Sequence, residues 1–535
     1  MHTCDPHVHA DCCIYPTNCG IYNVGILITG ATGFVGKLLV AKLLMTCPQV
    51  GNIYLIVREK KGIAPIARIN TLIQVIQTIR ENQPERLKRL IAISGDTTVE
   101  DLALSTTDKA RIIEDVSVIF HIAANVRFDL SLRAAVTMNT KGTANLISVA
   151  KQMPNLKSLI HVSTAYCHCG QIRLEERAYP PAISTNEIIK AIDNMSDESL
   201  RSIESKLLGD QPNTYALSKC LSEDLMVRSG LPVGIARPSI VVASWKEPVP
   251  GWVDNLNGPT GLIVGAGKGV IRSMHCNGKY LADLVPCDMV ANAIIALAWR
   301  IGLENSITPI FVNVTESEFA LDFFLTNFFP FSGPLWYPWG RITSSAIIHW
   351  FAAFFLHTIP AYVLDSLIFL SGNKPFLIKV NDRINKGLKL LQYYTTKEWV
   401  FVNDGLMDLK NQLCLEDRAT FFMDTKDICW DDYMYNYIMG VRKYVLKDDP
   451  STLPRARRVF NYLFIADTIF RTLFGILIVW FLYSWIIRSL IQLIFYTWNY
   501  SLHLPVFLLF FFLQCSDPII HDLASLVEEN DCIIL

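Results

Sequence analysis

A tyrosine and a lysine four residues apart carry the clearest chemical signal in the sequence. They occur in Tyr215-Ala-Leu-Ser-Lys219, and this spacing places both side chains on one face of a helix. A lysine ammonium beside a phenol is expected to lower the pKa of the phenol and make it a usable proton donor. Ser163 and Thr164, after a predicted buried strand, offer hydroxyls that can hold a substrate oxygen. Together these residues predict proton transfer to a carbonyl oxygen.

A glycine-rich turn near residue 30 predicts a dinucleotide site. The segment Thr29-Gly-Ala-Thr-Gly-Phe-Val-Gly36 lies between an apolar strand and a helix. Gly30 permits a tight turn, Gly33 lets the backbone approach a diphosphate, and Gly36 allows close helix packing. The diphosphate would lie at the helix N-terminus. The predicted contacts in the turn are Thr29, Gly30, Thr32, Gly33, Phe34, Val35 and Gly36.

The end of the second predicted strand distinguishes NAD from NADP. An acidic residue there would bind a ribose hydroxyl, but this strand ends in Val57-Arg58, with Lys60 and Lys61 beyond. Arg58 suits a 2′-phosphate, so the sequence predicts NADPH; the alternative is a solvated basic loop beside Glu59. Further cofactor contacts are predicted after the third and fourth strands, at Asp96, Ala123, Ala124 and Asn125.

The elements that must position these residues form an alternating pattern. Predicted strands cover residues 25–29, 53–57, 90–93, 118–122 and 158–162, and the first predicted helix covers 33–45. Strands that are apolar throughout are buried on both faces by helices. The sequence therefore predicts the α/β class, with a Rossmann-type doubly wound parallel sheet.

The composition indicates a soluble unit joined to membrane segments. Apolar residues make up 51% and charged residues 18% of the 535 residues, and the mean hydropathy is +0.30. This is too apolar for an ordinary soluble enzyme and too charged for a polytopic channel. With a net charge of -1 and no basic block in the front half, nucleic acid is not an expected partner.

The 14 cysteines include no CxxC pair and predict neither a metal site nor a disulfide framework. Four of them crowd the first nineteen residues without regular ligand spacing, and we expect residues 1–21 to be a disordered extension. The first apolar run is short and leads into glycines, so no signal peptide is predicted. Cys167 and Cys169 lie close to Thr164 and are predicted to pack, because hydride transfer needs no thiol.

Longer sequence blocks carry a family resemblance. The glycine turn followed by Ser/Thr, Tyr and Lys resembles the extended short-chain dehydrogenase/reductase superfamily. The blocks ITGATGFVGK, IYLIVREKKG, HIAANVRFD, HVSTAYC, NTYALSK, ARPSIV and GPTGLIVGAGKGV are similar to fatty acyl-CoA reductases, particularly the insect type. LSGNKPFLIKVNDRINKG, TTKEWVFVND and GVRKYVLK resemble the C-terminal domain of that family. The resemblance covers residues 22–448.

The resemblance implies a reaction and residue roles. A long-chain acyl-CoA and two NADPH would give a primary fatty alcohol, two NADP and free CoA, through an aldehyde. Thr164 aligns with the catalytic hydroxyl, with Ser163 as the alternative, while Tyr215 becomes the general acid and Lys219 its electrostatic partner. Asn139 matches the supporting asparagine of the superfamily. Asn139, Tyr215 and Lys219 are also expected to contact the cofactor, and the ARPSIV block adds Pro238, Ser239 and Ile240.

Two alternative functions stay open. One is an extended short-chain reductase that acts on another lipid carbonyl, and the other is a non-catalytic membrane scaffold that retains the fold. Release of CoA from an acyl-CoA substrate would separate the first alternative from the main interpretation. NADPH binding without turnover would favour the second. The oligomeric state is not predicted.

The predicted domain order begins with an NADPH-binding reductase domain at 22–315. An apolar linker at 316–371, acyl-binding or interfacial, and a C-terminal domain at 372–448 follow. A transmembrane region at 469–514 and a tail at 515–535 complete the chain. Within the linker, the run 346–359 is too short to span a bilayer and is either a buried or an interfacial helix.

The transmembrane region fits two arrangements. Residues 472–487 are uncharged, Arg488 interrupts the run, and residues 504–513 form a further apolar segment. The region is either one tilted span with Arg488 reaching the surface, or a hairpin of two short segments.

Positive charge precedes the apolar stretch and predicts its orientation. The basic residues are Arg455, Arg457, Arg458 and Arg471. They place the reductase domain on the cytosolic side of a membrane, either endoplasmic reticulum or peroxisome. The segment Cys532-Ile-Ile-Leu535 also fits a prenylation box, although a chance match is the favoured interpretation.

Overall fold

The computed structural model describes residues 24–60, 62–75, 81, 84–304, 306–315, 319–320 and 330–513. The chain divides into two compact units, one that ends at Arg458 and one that begins at Val459. The predicted extension 1–21 and tail 515–535, including Cys532, lie outside the described residues.

A seven-stranded sheet forms the centre of the first unit. The strands are β1 (Gly25–Thr29), β2 (Ile53–Val57), β3 (Leu90–Ser94), β4 (Val116–His121), β5 (Ser158–Val162), β6 (Val233–Pro238) and β7 (Ile310–Val314). Their order in the sheet is β7-β6-β5-β4-β1-β2-β3, and every neighbouring pair is parallel. The prediction of a Rossmann-type doubly wound sheet is confirmed.

The strand order changes direction between β1 and β4. β2 and β3 lie on one side of β1, whereas β4, β5, β6 and β7 follow one another on the other side. In open parallel sheets a ligand crevice forms at such a switch point, beyond the carboxyl ends of the strands. The glycine turn directly follows β1 and therefore stands at this crevice.

Helices cover both faces of the sheet, and two strands escape the sequence pattern. The sequence pattern does not predict β6 and β7, which contain the buried polar residues Arg237 and Asn313. The helices between strands are Phe34–Thr46, Pro65–Val75, Thr106–Asp115, Leu132–Ala135, Gly142–Ala150, Thr185–Asn194, Asp197–Leu208, Thr214–Val227, Pro259–Gly267 and Cys287–Glu304. A π-helical turn at Val136–Lys141 separates two of them.

The C-terminal helical region belongs to the same compact unit as the sheet. Its helices are Leu377–Thr395, Asp404–Gln412, Leu415–Thr420 and Trp430–Gly440. The short strand Val400–Phe401 pairs in parallel with Arg173–Leu174. The Asn313 amide donates to the Val402 carbonyl at 2.6 Å. Residues 372–448 therefore complete the reductase unit instead of standing apart from it.

A long helix, here called the surface helix, covers Ala346–Leu370. It consists of Ala346–Ala353, a π turn at Phe354–Thr358 and Ile359–Leu370. The predicted end at residue 359 is wrong, because Pro360 stands in the first turn of the last segment and interrupts nothing.

The described part of the second unit is entirely helical. Its helix covers Leu453–Leu513 without interruption, so the first six residues of the helix belong to the first unit, and Arg488 lies within it. The described residues therefore form a continuous helix and not the hairpin alternative. By length and composition alone, Pro450–Phe495 and the surface helix are apolar enough to cross a membrane, a weak indication of membrane association.

Candidate active site

Backbone geometry at the glycine turn leaves no room for side chains. Gly30 has a φ of 79°, and a Cβ at this position would lie 2.6 Å from the backbone nitrogen of Ala123, in the loop that follows β4. A Cβ on Gly36 would lie 2.2 Å from the Gly30 carbonyl oxygen. Gly33 is the N-cap of the helix Phe34–Thr46. The turn thus presents a helix N-terminus to the crevice, as a diphosphate requires.

One cavity of about 1530 Å³ joins the glycine turn to the predicted catalytic residues. The predicted residues that line it are Thr29, Gly30, Thr32, Gly33, Phe34, Val35, Gly36, Arg58, Asp96, Ala123, Ala124, Asn125, Thr164, Tyr215, Ser239 and Ile240. Ser163, Lys219, Asn139 and Pro238 are buried behind this lining. The structure therefore brings together residues that are up to 211 positions apart in the chain.

The two adjacent hydroxyls have different surroundings. Thr164 lines the cavity, and its Oγ1 accepts a hydrogen bond from the Tyr166 backbone N–H at 3.2 Å. Ser163 Oγ lies 3.6 Å from Cys167 Sγ and is buried. Of the pair, Thr164 is the hydroxyl that a substrate in the cavity can reach.

Tyr215 lies in the first turn of the helix Thr214–Val227. The Asn213 side chain caps this helix by accepting from the Ala216 N–H at 2.9 Å. The Tyr215 ring stacks on Phe128 with centroids 5.6 Å apart. Burial raises the pKa of Tyr215, the opposite of the predicted lowering by Lys219. The phenol consequently keeps its proton at neutral pH, as a proton donor must.

Lys219 is buried behind the residues that line the cavity, and two groups on β5 contact its side chain. Its Nζ donates to the Val162 carbonyl at 2.6 Å and lies 3.3 Å from His161 Nε2. Burial lowers the pKa of Lys219 to about 8. Burial also lowers the pKa of His161 well below its usual value, so this ring is a neutral acceptor for the ammonium. The sequence prediction missed His161; a histidine in an apolar strand was the available signal.

Asn139 connects two parts of the site. Its Oδ1 accepts from the Asn125 N–H at 2.8 Å, and its Nδ2 donates to the Asn125 carbonyl at 3.1 Å. The same amide nitrogen donates to Ser218 Oγ at 2.9 Å. Asn139 thus fixes the loop after β4 against the helix that carries Tyr215.

A buried ion network, which the sequence prediction also missed, supports the turn after β5. Glu223 accepts from Arg237 Nη2 at 2.7 Å and pairs with His168 Nε2 at 2.8 Å. Although burial opposes ionisation, Arg237 and His168 hold the pKa of Glu223 well below its usual range. Burial likewise disfavours charge on His168, but the Glu223 carboxylate that it pairs with raises the His168 pKa.

The same cluster has the composition of a metal site but the bonding of an ion network. Ligand atoms of Cys167, His168 and Glu223 lie within 4.8 Å of one another. The Glu223 carboxylate, however, already neutralises Arg237, which is fully buried. Burial raises the pKa of Cys167, which keeps it a thiol. The cluster therefore fits packing and charge pairing better than cation binding.

Basic side chains gather at the adenosine end of the cavity. Arg58 Nη1 lies 3.9 Å from Asp96 Oδ2, and Lys60 lines the same region. Arg68, which the sequence prediction missed, donates from Nη2 to Thr32 Oγ1 at 2.8 Å and from Nη1 to the Arg58 carbonyl at 2.6 Å. Arg68 comes from the helix Pro65–Val75, so only the fold brings it to the glycine turn.

A second region of the cavity lining, here called the apolar arm, is mainly apolar, although Asp283 and Arg383 also belong to it. It is formed by the helix Pro259–Gly267, the strand segments 271–284 and the helix Leu377–Thr395. Its apolar lining residues are Leu256, Leu262, Ile271, Met274, Leu281, Leu284, Ile384, Leu388 and Leu391. Both the reductase region and the C-terminal region contribute, and the arm suits a hydrocarbon chain.

This combination of fold and site defines a nicotinamide-dependent oxidoreductase of the short-chain reductase type. Two family models match the chain, and both are described as male sterility protein. The NAD-binding model matches residues 28–294, and the Sterile model matches residues 356–448. The chain is 40% identical to rat fatty acyl-CoA reductase 1 over 468 residues, which is 85% of this chain and 90% of the relative. It is 35% identical to the fatty acyl-CoA reductase wat of Drosophila melanogaster, over 86% of this chain and 91% of the relative. The chain belongs to the fatty acyl-CoA reductase family.

The vertebrate and insect relatives resemble the chain to a similar degree. The comparison therefore shows the family but does not assign the chain to the insect type.

Solved reductase domains share the fold. The terminal R domain of the myxalamid pathway aligns with a TM-score of 0.52 at 19% identity, over 82% of this chain and 96% of that domain. A nonribosomal peptide synthetase reductase domain of Mycobacterium tuberculosis aligns with a TM-score of 0.51 at 18% identity, over 82% and 95%.

The pKa of Lys219 predicts a pH dependence. Because burial lowers this pKa to about 8, the ammonium is lost as pH rises through that value. We expect kcat/KM for acyl reduction to fall above pH 8, and the fall to move to higher pH in Lys219→Arg, whose charge persists. A pH–rate series checks this, with the circular dichroism spectrum of each variant as the folding control. An unchanged alkaline limb in Lys219→Arg would assign the limb to another group.

Proposed function

We propose that this protein reduces long-chain fatty acyl-CoA to a primary fatty alcohol with two equivalents of NADPH. The reaction passes through an aldehyde and releases free CoA. The observation that carries this proposal is one continuous cavity that combines the glycine turn, Thr164 and Tyr215, and an apolar arm. Family membership supports the acyl-CoA substrate, since the relatives are named as fatty acyl-CoA reductases.

The residues of the site fit both reduction steps. When bound against the glycine turn, NADPH supplies the hydride. Thr164 hydrogen-bonds the thioester oxygen, and Tyr215 donates the proton that this oxygen takes up as hydride reaches the carbonyl carbon. The resulting hemithioacetal expels CoA as a thiol and leaves an aldehyde. A second hydride and a second proton by way of Tyr215 then give the alcohol.

A covalent acyl-enzyme is not needed, and the nearby thiols do not favour one. Burial raises the pKa values of both Cys167 and Cys169, so each keeps its proton near neutral pH. A protonated, buried thiol is a poor nucleophile. Lys219, whose Nζ donates to the Val162 carbonyl, is proposed as the positive charge that assists Tyr215.

The preference for NADPH is proposed from Arg58, Lys60 and Arg68. A single charge-assisted hydrogen bond to the 2′-phosphate contributes about 1.5–3 kcal/mol, or roughly ten- to hundredfold in affinity. Arg58→Ala and Arg68→Ala are each expected to weaken NADPH by such a factor and to leave NADH nearly unchanged. Binding titrations with both cofactors measure this. The matched control is Lys88→Ala, a solvent-exposed lysine outside the cavity; equal losses for NADPH and NADH would refute the assignment.

The role of Tyr215 gives the most direct test of the catalytic proposal. Tyr215→Phe keeps the ring stacked on Phe128 and removes only the transferable proton. Alcohol formation should fall by about 10²–10⁴, the usual contribution of a general acid, while NADPH still binds. Tyr435→Phe, at an exposed tyrosine outside the cavity, is the control. Near wild-type activity in Tyr215→Phe would remove this residue from the mechanism, and loss of aldehyde reduction alone would mean that the thioester step uses another donor.

The proposed location is a membrane of the endoplasmic reticulum or the peroxisome, with the reductase unit facing the cytosol. The apolar helix Leu453–Leu513 supports the anchor, and Arg455, Arg457 and Arg458 precede its apolar part. Protease added to sealed microsomes should digest the reductase unit. Protection of that unit until detergent is added would reverse the orientation.

A further inference from the structure

The surface helix exposes an extended apolar face. Of its large apolar side chains, 13 are more than a third exposed, among them Trp350 at 62%, Phe355 at 54% and Leu370 at 80%. Contiguous apolar surface of this kind is uncommon on a soluble protein and marks a contact with a membrane or another protein. The described part of the reductase unit leaves this face uncovered.

The opposite face of the surface helix is tied to the reductase unit by polar groups. His357 Nε2 accepts from the backbone N–H groups of Arg272 and Ser273 at 2.8 and 3.1 Å. The buried Asp365 carboxylate accepts from the N–H groups of Phe376, Leu377 and Ile378, at the start of the next helix. These bonds and the buried carboxylate oppose insertion of the helix across a bilayer, where an unpaired charge is costly.

The neighbouring helix supplies positive charge. Leu377–Thr395 packs against Ile359–Leu370, and Lys379, Lys386 and Lys389 on it are exposed. An apolar helical face beside lysines is the arrangement that lies in a membrane interface and is attracted by anionic headgroups.

The same neighbouring helix also forms a wall of the apolar arm of the cavity. Ile384, Leu388 and Leu391 line the cavity, and Leu388 packs with Ile271 and Met274. The exposed apolar face is therefore separated from the acyl site by a single helix. Trp350 and Tyr362 on that face are of the residue types enriched at membrane–water interfaces.

We propose that the surface helix lies in the plane of a phospholipid surface, as a membrane contact of the reductase unit beside its apolar cavity arm. The contact would let a long acyl chain pass between the bilayer and the cavity without crossing bulk water. The passage of substrate rests on the proposed function, whereas the lipid contact does not.

Photo-crosslinking in the full-length chain tests the contact. Benzoylphenylalanine is placed at Phe351 or Leu367, and as controls at Ile172 and Leu415, which are 76% and 81% exposed in the same unit. The protein is reconstituted in phosphatidylcholine vesicles with or without phosphatidylserine, and phospholipid adducts are identified by mass spectrometry. We expect lipid adducts at Phe351 and Leu367 only, with a higher yield when phosphatidylserine is present.

Other outcomes would overturn the proposal. Crosslinks from Phe351 or Leu367 to a second copy would make this face a dimer interface, and lipid adducts that are no more frequent than at the control sites would exclude a specific contact.

A paired variant tests the consequence for substrate access. Phe351→Glu with Leu367→Glu places two carboxylates against lipid and should raise KM for vesicle-bound palmitoyl-CoA by about tenfold, with NADPH affinity unchanged. Ile172→Glu with Leu415→Glu is the control. An unchanged KM would contradict transfer of substrate through this face. If no variant or wild-type protein reduces any acyl-CoA, the proposed function fails, but the lipid adducts still decide the contact.

Discussion

A lysine ammonium that is buried must find partners inside the protein, and much of this site follows from where Lys219 finds them. Desolvation lowers its pKa to about 8, although the nearby Glu223 carboxylate acts in the opposite direction. The ammonium donates a hydrogen bond to the Val162 carbonyl at the end of β5 and lies next to the neutral ring of His161. This fixes the helix Thr214–Val227 against the sheet, and so fixes Tyr215 in the cavity that Thr164 also lines. Glu223, one turn beyond Lys219, continues the network to Arg237 on β6.

The cavity is chemically divided, and the division matches the two ligands of the proposed reaction. Arg58, Lys60 and Arg68 surround one end, whereas the other end is apolar and built partly by the helix Leu377–Thr395. The C-terminal region is therefore part of the substrate site. Its bonds to the sheet, such as that from Asn313 to the Val402 carbonyl, hold this wall in place.

Local sequence signals predicted the parts of the site that depend on neighbouring residues. The glycine turn and the Tyr215–Lys219 spacing are such signals, because each acts within one turn or one helix. Arg68, His161 and the Glu223–Arg237 pair were missed because their roles arise from contacts between distant elements. The lowered phenol pKa expected from Lys219 was wrong for a related reason: burial dominates at Tyr215, and burial is a property of the fold.

The length of the surface helix was also not predictable from local sequence signals. The apolar run 346–359 indicated an end near residue 359, but the helix continues through a π turn to Leu370. His357 and Asp365, which lie in this helix, are the groups that attach it to the unit. Which face of a helix is bound cannot be assigned until its partners are known.

Isotope transfer from the cofactor tests the central claim, that one cavity performs both reductions. Purified full-length protein would be given palmitoyl-CoA and each of the two C4-deuterated forms of NADPH in turn. Because a single cofactor site presents one face of the nicotinamide to the substrate, both reductions should use the same C4 hydrogen. We therefore expect one labelled form to give an alcohol with two deuterium atoms on C1, together with free CoA. The other form should give unlabelled alcohol. An aldehyde end product with a single deuterium, or one deuterium from each form, would contradict reduction of both carbonyls at the same site.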